Sequence, residues 1–597
     1  MSLSHQLRAI KNALRVQGIA GFVGVMREKR QKQERYQKML LEVPLRRDVA
    51  VLKAWDVAAI DISAQDRESI IRKADAMLRD ENEYFTFPYR LRGVPRPWNY
   101  DPYEKLHWPQ DHYTEQKLHS EDTPQDVKIV WEINRFKDLP TLAQAGYLTR
   151  DAKYAEEIEY RLLSWIEDNP FANSINWASG LELGIRLLSW TTSLELLRAA
   201  GFDVSTNPKI ARSIYEQAAY LRAELSTDKI VRSNHLIGEA AGLLAVAKLW
   251  ELPDSKEYAD VARAILESEI TRQTYEDGAT REATTWYHGF VTDFFDIAAR
   301  VAARYGKPFS KHYTERLFAM KVFRESMMQP DGTAVRIGDA DDGHALYFEG
   351  EKHLWLDALF GDANERPFRV SSFHRSGYAS LREQRSAVYI RAGEFGMGGH
   401  GSSSHAHDDL LAPVLWLENL PILVDPGTFV YNGAAKYRSR YRGEHSHNTF
   451  SLDEGSEAKQ KLNFGWYQVR KPAKMKVEGL KISGHYGEWP EHSRTIELRG
   501  SEATIIDEVT RPHKRGFARL HLHPMWKPDD AEGPRRSFMN ASGDRLHIEI
   551  EVWKRVDIET YDYSPSYRVQ VPATKVILQT GPVRGKFAVR IWVECAG

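Results

Sequence analysis

The apolar residues of this chain change their spacing once, near residue 365, and that change limits the folds open to it. From about residue 65 to 360 they recur at intervals of three and four, as over 143–150, 155–166 and 181–190, the spacing of helices with a buried stripe. Further helices are expected from near Ile210, Leu236, Tyr258, Thr285 and Lys311, with breaks at Asp168–Pro170, Glu276–Gly278 and Gln329–Gly332. Helices joined by short turns pack as antiparallel hairpins, and a run of hairpins makes a ring or a solenoid. No motif of fixed period recurs, which disfavours a solenoid of identical repeats. After about residue 368 the segments 386–392, 475–482, 494–499, 546–552 and 587–593 alternate with period two, with turn residues such as Arg499–Ser501 and Ala541–Asp544 between them. Many antiparallel strands with one buried face make a sandwich. At 597 residues the chain exceeds what one core usually serves. The expected division is a basic helical extension over 1–60, a helical domain over 61–365 and an antiparallel β-sandwich over 366–597.

Composition removes several classes of function. The net charge of -1 argues against a dedicated nucleic-acid binder. The single cysteine, Cys595, rules out disulfides within the chain and leaves histidine and carboxylate as the metal ligands. No run approaches the roughly 20 apolar residues that span a bilayer. The segment 19–26 is short, lies late and is followed by Arg27, Lys29 and Arg30, so it does not read as a clean signal peptide, and a cytoplasmic location is expected. The first 40 residues read as a basic amphipathic helix, a solvated arm on the body rather than a membrane contact. With 16 Trp and 27 Tyr the chain has aromatic faces that could stack on sugars, although core filling is the expectation for most of them.

The chemistry concentrates in a few short motifs. Ser404–Asp409 contains His405 and His407, Val424–Thr428 contains Asp425, and His445–Thr449 contains His447. Residues two apart on an extended segment share a face, so His405 and His407 could point the same way. His407, Asp425 and His447 form a mixed nitrogen and oxygen set suited to zinc or another divalent ion, with manganese an alternative. His400 and His445 are substitutes in that set, and plain hydrogen-bonded loop histidines are the competing reading. His521 and His523 lie in an apparent strand and read as structural. Arg232–Leu236 opens a helix with Ser233 or Asn234 as N-cap, and His235 and Glu239 share one face of it. Thr284–His288, with Tyr287, begins another helix after the Asp277–Gly278 turn. The polar loop Val335–Gly343 is an acidic turn or presents Arg336 to an anion.

Taken in order, Asp126–Arg135, Ser233–Glu239, Trp286–Tyr287, Arg336–Ala340, His405–Asp409, Val424–Thr428 and His447–Thr449 resemble the heparinase II/III-like family of polysaccharide lyases, over roughly residues 125–450. The resemblance implies an incomplete (α/α) toroid as catalytic domain, followed by an antiparallel β-sandwich. It implies β-elimination at a 4-linked uronic acid in a glycosaminoglycan, alginate or a bacterial exopolysaccharide. Such a reaction must neutralise the uronate carboxylate, remove the C5 proton and protonate the leaving oxygen. By resemblance Asn234, with His235, neutralises; Tyr287 is the acid and serves as base for one C5 epimer; and His405 is the base for the other. His407, Asp425 and His447 then hold a zinc that braces the His405 loop, a mainly structural role. Arg135, Arg186 and Arg336 are expected at anionic groups of the sugar chain, with Glu239, Trp131 and Trp177 also at the substrate. Many family members are exported, which keeps a periplasmic or secreted location in view. Two other classes remain. A glycoside hydrolase needs a carboxylate pair, and Glu132, Glu182, Glu239 and Asp339 offer no compelling one; a non-catalytic carbohydrate-binding protein would not need Asn234, Tyr287 and His405 together.

Overall fold

The computed structural model describes residues 51–596, apart from 54–56, 86, 117, 119–124, 229–231, 362–366, 398–402, 433–434, 453–457, 462–463, 487–491, 511–514, 530–534 and 583. The basic extension expected over 1–60 therefore lies almost entirely outside the described residues, as does His400.

The first half is a double layer of helices. Asp138–Thr149, Gly180–Ala199, Asn234–Leu249 and Thr285–Tyr305 form the inner layer, and Ala152–Asp168, Pro208–Ala223, Ser255–Arg272 and Lys311–Ser326 the outer one. The sequence explains the sorting. Outer helices carry one apolar stripe, as Tyr154, Ala155, Ile158, Leu162 and Trp165 do in Ala152–Asp168. The inner helix Gly180–Ala199 is buried on every side from Leu181 to Leu197. Glycine lets the inner helices touch: a Cβ on Gly184 would lie 2.6 Å from the Gly238 carbonyl oxygen, and one on Gly242 would lie 2.6 Å from the Gly184 Cα. Side-chain caps start the helices, with Ser63, Asp126, Asp151, Asn207, Ser233, Thr284 and Ser310 each accepting from a first-turn N–H. The helices expected from near Ile210, Leu236, Tyr258, Thr285 and Lys311 open at Pro208, Asn234, Ser255, Thr285 and Lys311.

The last helix of this half ends at Phe360 and the first strand of the next opens at Ser372. Two antiparallel sheets then pack on an eight-stranded third. One has the order Leu420–Leu423, Val414–Leu417, Ser386–Arg391, Tyr378–Glu383, Ser372–Phe373; the other has Phe450–Leu452, Gly516–His521, Val571–Gln579, Arg555–Tyr563. The eight-stranded sheet runs from Lys474–Glu478 to Lys527–Asp529, with Glu502–Val509, Gly585–Glu594 and Arg545–Glu551 adjacent at its centre. Its strands alternate strictly, His492–Arg499 and Glu502–Val509 burying every second residue. Segment 475–482, which reads as one strand, is two: a turn at Gly479 (φ 58°) folds Lys474–Glu478 onto Lys481–His485. The strand Ser386–Arg391 departs from alternation, since all six residues are buried. Its second face, with Tyr389 and Ala387, packs on Phe323, Met327, Val335 and Ile337 of the helical half, so this sheet is the seam between the halves. No helix among the described residues is long and apolar enough to cross a membrane.

Candidate active site

A cleft of about 540 Å³ opens along that seam. The helical half contributes Lys128, Trp131, Arg135, Glu182, Asn234, His235, Tyr287 and Asp341, and the sandwich half contributes His405, Tyr431 and Phe464. Asn234 is the first residue of its helix, behind the cap Ser233, and Tyr287 lies in the first turn of its own helix, whose N-cap is Thr284. The imidazole of His405 stacks on the Tyr287 ring, with centroids 4.0 Å apart and planes 24° apart. Asn234, His235, Tyr287 and His405, the four candidate catalytic residues, thus line one cavity although up to 171 positions separate them.

The surroundings of Tyr287 define its protonation. Its hydroxyl donates to Asp341 Oδ2 at 2.8 Å and lies 3.1 Å from the Tyr431 hydroxyl. Burial, and after it the Asp341 carboxylate, hold the phenol well above its ordinary pKa. A tyrosine base needs cations close by; here an anion is closest, and the phenol keeps its proton. Burial alone would raise the pKa of Asp341, but Lys128 and Arg135 outweigh it and keep the carboxylate ionised. Lys128 Nζ lies 3.1 Å from Asp341 and 2.8 Å from Glu132.

His405 is held through its other nitrogen. Its Nδ1 lies 2.9 Å from Asp339 Oδ2, which leaves Nε2 to the cleft. Asp339 is fully buried; its Oδ1 contacts His407 Nε2 at 2.8 Å, and both its oxygens accept from Arg438, Oδ2 at 2.5 Å. Burial opposes its charge, yet Arg438 and the two histidines hold its pKa well below the carboxylate range. One carboxylate therefore ties the cleft histidine to the neighbouring histidine cluster.

That cluster brings His407, Asp425 and His447 together, each offering one ligand atom, all within 4.8 Å of one another. His407 Nδ1 and His447 Nε2 are buried with no hydrogen-bond partner in the protein, as expected of imidazole nitrogens that ligate a cation. The outer nitrogens are oriented by carboxylates, His407 Nε2 by Asp339 and His447 Nδ1 by Asp425 at 2.8 Å. The donor set and its orphaned nitrogens fit a divalent metal. The His405–His407 segment is a loop rather than a strand, and His445 is exposed and outside the set. His521 is buried against Asn448, and burial depresses its pKa far below the usual range.

Several residues expected at the substrate are placed elsewhere. Arg186 is fully buried, donates to Gln217 and to the Asn176 carbonyl, and is pushed down to a pKa of about 9 by burial. Trp177 is 1% exposed and packs on Trp165 and Tyr220 in the helical core. Arg186 lies on the helix Gly180–Ala199, which is buried on every side, and Trp177 ends the short turn Ile175–Trp177 that leads into it. Arg336 pairs with Asp342 at 3.1 Å and lies over Trp286, outside the cleft. Glu239 sits behind the wall, accepting from the Ser226 N–H and hydroxyl at 2.7 and 2.6 Å. Arg135 does line the cleft, but its guanidinium is committed to Glu182 (2.7 and 2.8 Å) and Glu132 (3.0 Å). Trp131 also lines it, with its indole N–H on the Ile175 carbonyl. Sequence reasoning missed Asp341, Tyr431, Arg438, Lys128 and the tethering role of Asp339. Aspartates in a polar loop and tyrosines in an aromatic-rich chain carry no local signal of what they face.

The heparinase II/III N-terminus family matches residues 22–363, and the heparinase II/III-like C-terminal family matches 365–591. A heparin-sulfate lyase of Pedobacter heparinus is 26% identical over 359 residues, 55% of this chain and 52% of that protein, so the match spans about half the relative's length. Among solved structures, heparinase III superposes with a TM-score of 0.65 at 15% identity, covering 95% of this chain and 92% of that one. A heparan sulfate lyase of Pedobacter heparinus superposes with a TM-score of 0.52 at 19% identity, covering 99% and 91%. At such identities the superpositions establish the fold, a helical toroid followed by a β-sandwich. With the two family matches covering nearly the whole of it, the chain belongs to the heparinase II/III family.

Proposed function

We propose that this protein is a polysaccharide lyase that cleaves glycosaminoglycans at 4-linked uronic acids by β-elimination, leaving a 4,5-unsaturated uronate end. The carrying observation is the His405 imidazole stacked on the Tyr287 phenol in the cleft that also holds Asn234. The C5 proton lies next to a carboxylate and is a weak acid until that carboxylate is neutralised, the part that falls to the Asn234 amide. His405 Nε2 is the available lone pair, with Asp339 holding the tautomer through Nδ1. Tyr287, kept protonated by burial and Asp341, gives its proton to the leaving glycosidic oxygen. The names of the relatives, a heparin-sulfate lyase and a heparan sulfate lyase, support a heparan-type chain as substrate. Zinc, bound by His407, Asp425 and His447, would brace the loop that carries His405; the proton transfers belong to the side chains.

Hydrolysis is less well supported. Glu132 and Glu182 are committed to Arg135, Glu239 to Ser226, and Asp339 to Arg438 and two histidines. None forms the pair of opposed carboxyl groups that hydrolysis requires. The test is near-ultraviolet absorbance during incubation with heparan sulfate, chondroitin sulfate, hyaluronan, alginate and polyglucuronate. A rise with a glycosaminoglycan supports the proposal and names the polymer. New reducing ends without a rise would replace it with hydrolysis.

A further inference from the structure

Glu282 lies in the turn before the Tyr287 helix and takes no part in the proton transfers above. Its side chain is buried, 3% exposed, and is spent on Asn234. Oε1 accepts from the Asn234 backbone N–H at 3.0 Å, and both carboxylate oxygens accept from Asn234 Nδ2, at 3.0 and 2.9 Å. Two oxygens of one carboxylate subtend too narrow an angle at a nitrogen to take both amide hydrogens. One N–H of Asn234 is therefore left over, and Asn234 Oδ1 is buried with no partner in the protein. An ionised carboxylate only accepts, so turning the amide over would set acceptor against acceptor. Glu282 thus decides which way the Asn234 amide faces.

The chain invests in this placement. Ala283, next to Glu282, has φ 58°, a left-handed conformation that is unfavourable for a residue with a Cβ. Its carbonyl passes so close to the opposite loop that a Cβ on Gly338 would lie 2.6 Å from it. On the other side of Ala283, Thr284 Oγ1 donates to the Asp339 carbonyl at 2.5 Å and caps the Tyr287 helix. One strained turn thereby sets Glu282 on Asn234 and the next cap beside Asp339, the residue that holds His405.

We propose that Glu282 is a positioning residue for uronate recognition: it locks the Asn234 amide so that its remaining N–H meets the substrate carboxyl group. This rests on the lyase reading. Glu282→Gln is the discriminating change. Glutamine keeps an acceptor for the Asn234 backbone N–H, so the helix start survives, but it can pair with the Asn234 amide in either orientation. The expected result is a kcat lower by about 100-fold, with KM within about three-fold and a melting temperature within about 3 °C of wild type. Asn234→Ala should lose as much, and the double variant no more than either single one. Full activity of Glu282→Gln, or losses that multiply in the double variant, would overturn the proposal. Glu282→Asp, with the carboxylate drawn back, should fall between wild type and Glu282→Gln. Calorimetric titration with a heparan-type tetrasaccharide separates this inference from the reading beneath it. If the wild-type protein binds the saccharide without eliminating it, the lyase reading falls. The amide lock then stands only if Glu282→Gln and Asn234→Ala change binding by the same factor, and fails if Asn234→Ala weakens it and Glu282→Gln does not. Absence of both binding and elimination overturns both.

Discussion

The two walls of the cleft place their reactive groups by different means. On the toroid wall, Asn234 and Tyr287 stand in the first turns of long helices that are capped by Ser233 and Thr284 and buried in the double layer. Their positions follow from local backbone geometry and neighbouring ion pairs. On the sandwich wall, His405 lies in the long connection between the strands ending at Arg391 and starting at Val414, in a stretch without regular structure. It is held by a chain of side-chain bonds through Asp339 to His407 and Arg438. A helix end fixes the backbone of a group once the helix forms, and at Asn234 one carboxylate, Glu282, sets the side chain; a network of several members holds His405 only while every member is present. The toroid wall should therefore tolerate perturbations that release the sandwich wall.

The largest expected effect does not distinguish the walls. Tyr287→Phe removes the proposed acid and His405→Ala the proposed base, and each should lower kcat by about 10²–10⁴-fold in the absorbance assay. If both retain full activity on every cleaved polymer, the cleft is not the site of elimination. Asp339→Asn is the sharpest probe of the network, because it leaves Arg438 buried without its counterion. A loss of roughly 3–5 kcal/mol in urea unfolding is expected, together with a fall in kcat; unchanged stability would mean that the walls are not tied through this residue. Removing metal by chelation, or His447→Ala, should cost activity by about 10–100-fold while circular dichroism shows the helical signal retained. Helical signal lost in parallel would erase the contrast between the walls.

Smaller effects test the placements. Arg186→Met replaces a buried cation by a side chain of similar volume and should leave KM within about two-fold, with stability unchanged or raised by about 1–4 kcal/mol; a large rise in KM would return Arg186 to the sugar. The smallest expected effect is in the alkaline limb of the pH profile. Burial and Asp341 favour the protonated phenol, so the raised folded pKa keeps the Tyr287 proton in place below it. The kcat profile should then show no loss from Tyr287 up to about pH 10, its ordinary pKa; a Tyr287-dependent fall near pH 8 would contradict the surroundings described.

Much of this was legible in the chain itself. Periodicity marks both halves because a buried stripe and a buried sheet face leave different imprints on apolar spacing. The exceptions are informative: Ser386–Arg391 is buried on both faces because it is the seam between the halves, a fact of packing rather than of local pattern. Asn234, Tyr287 and His405 carry little signal singly and are picked out by the resemblance of the ordered motifs to one family, while His407, Asp425 and His447 draw notice as nitrogen and oxygen donors in three short motifs. Arg186 and Trp177 lie in the helical core because residue type alone does not tell a guanidinium or an indole that meets substrate from one that meets other helices.

What the sequence by itself determined is the order of two architectures and the family they resemble, since helical and strand periods are local and the motifs follow one another in a fixed order. Only the tertiary structure decided which charges stay available and which are neutralised. Arg135 is cancelled by Glu182, Tyr287 is kept protonated by Asp341, His405 is oriented by Asp339, and Asn234 by Glu282. The physical reason is that hydrogen bonds and screened Coulomb interactions act over a few ångströms in space, and these partners lie 47 to 66 positions apart in the chain.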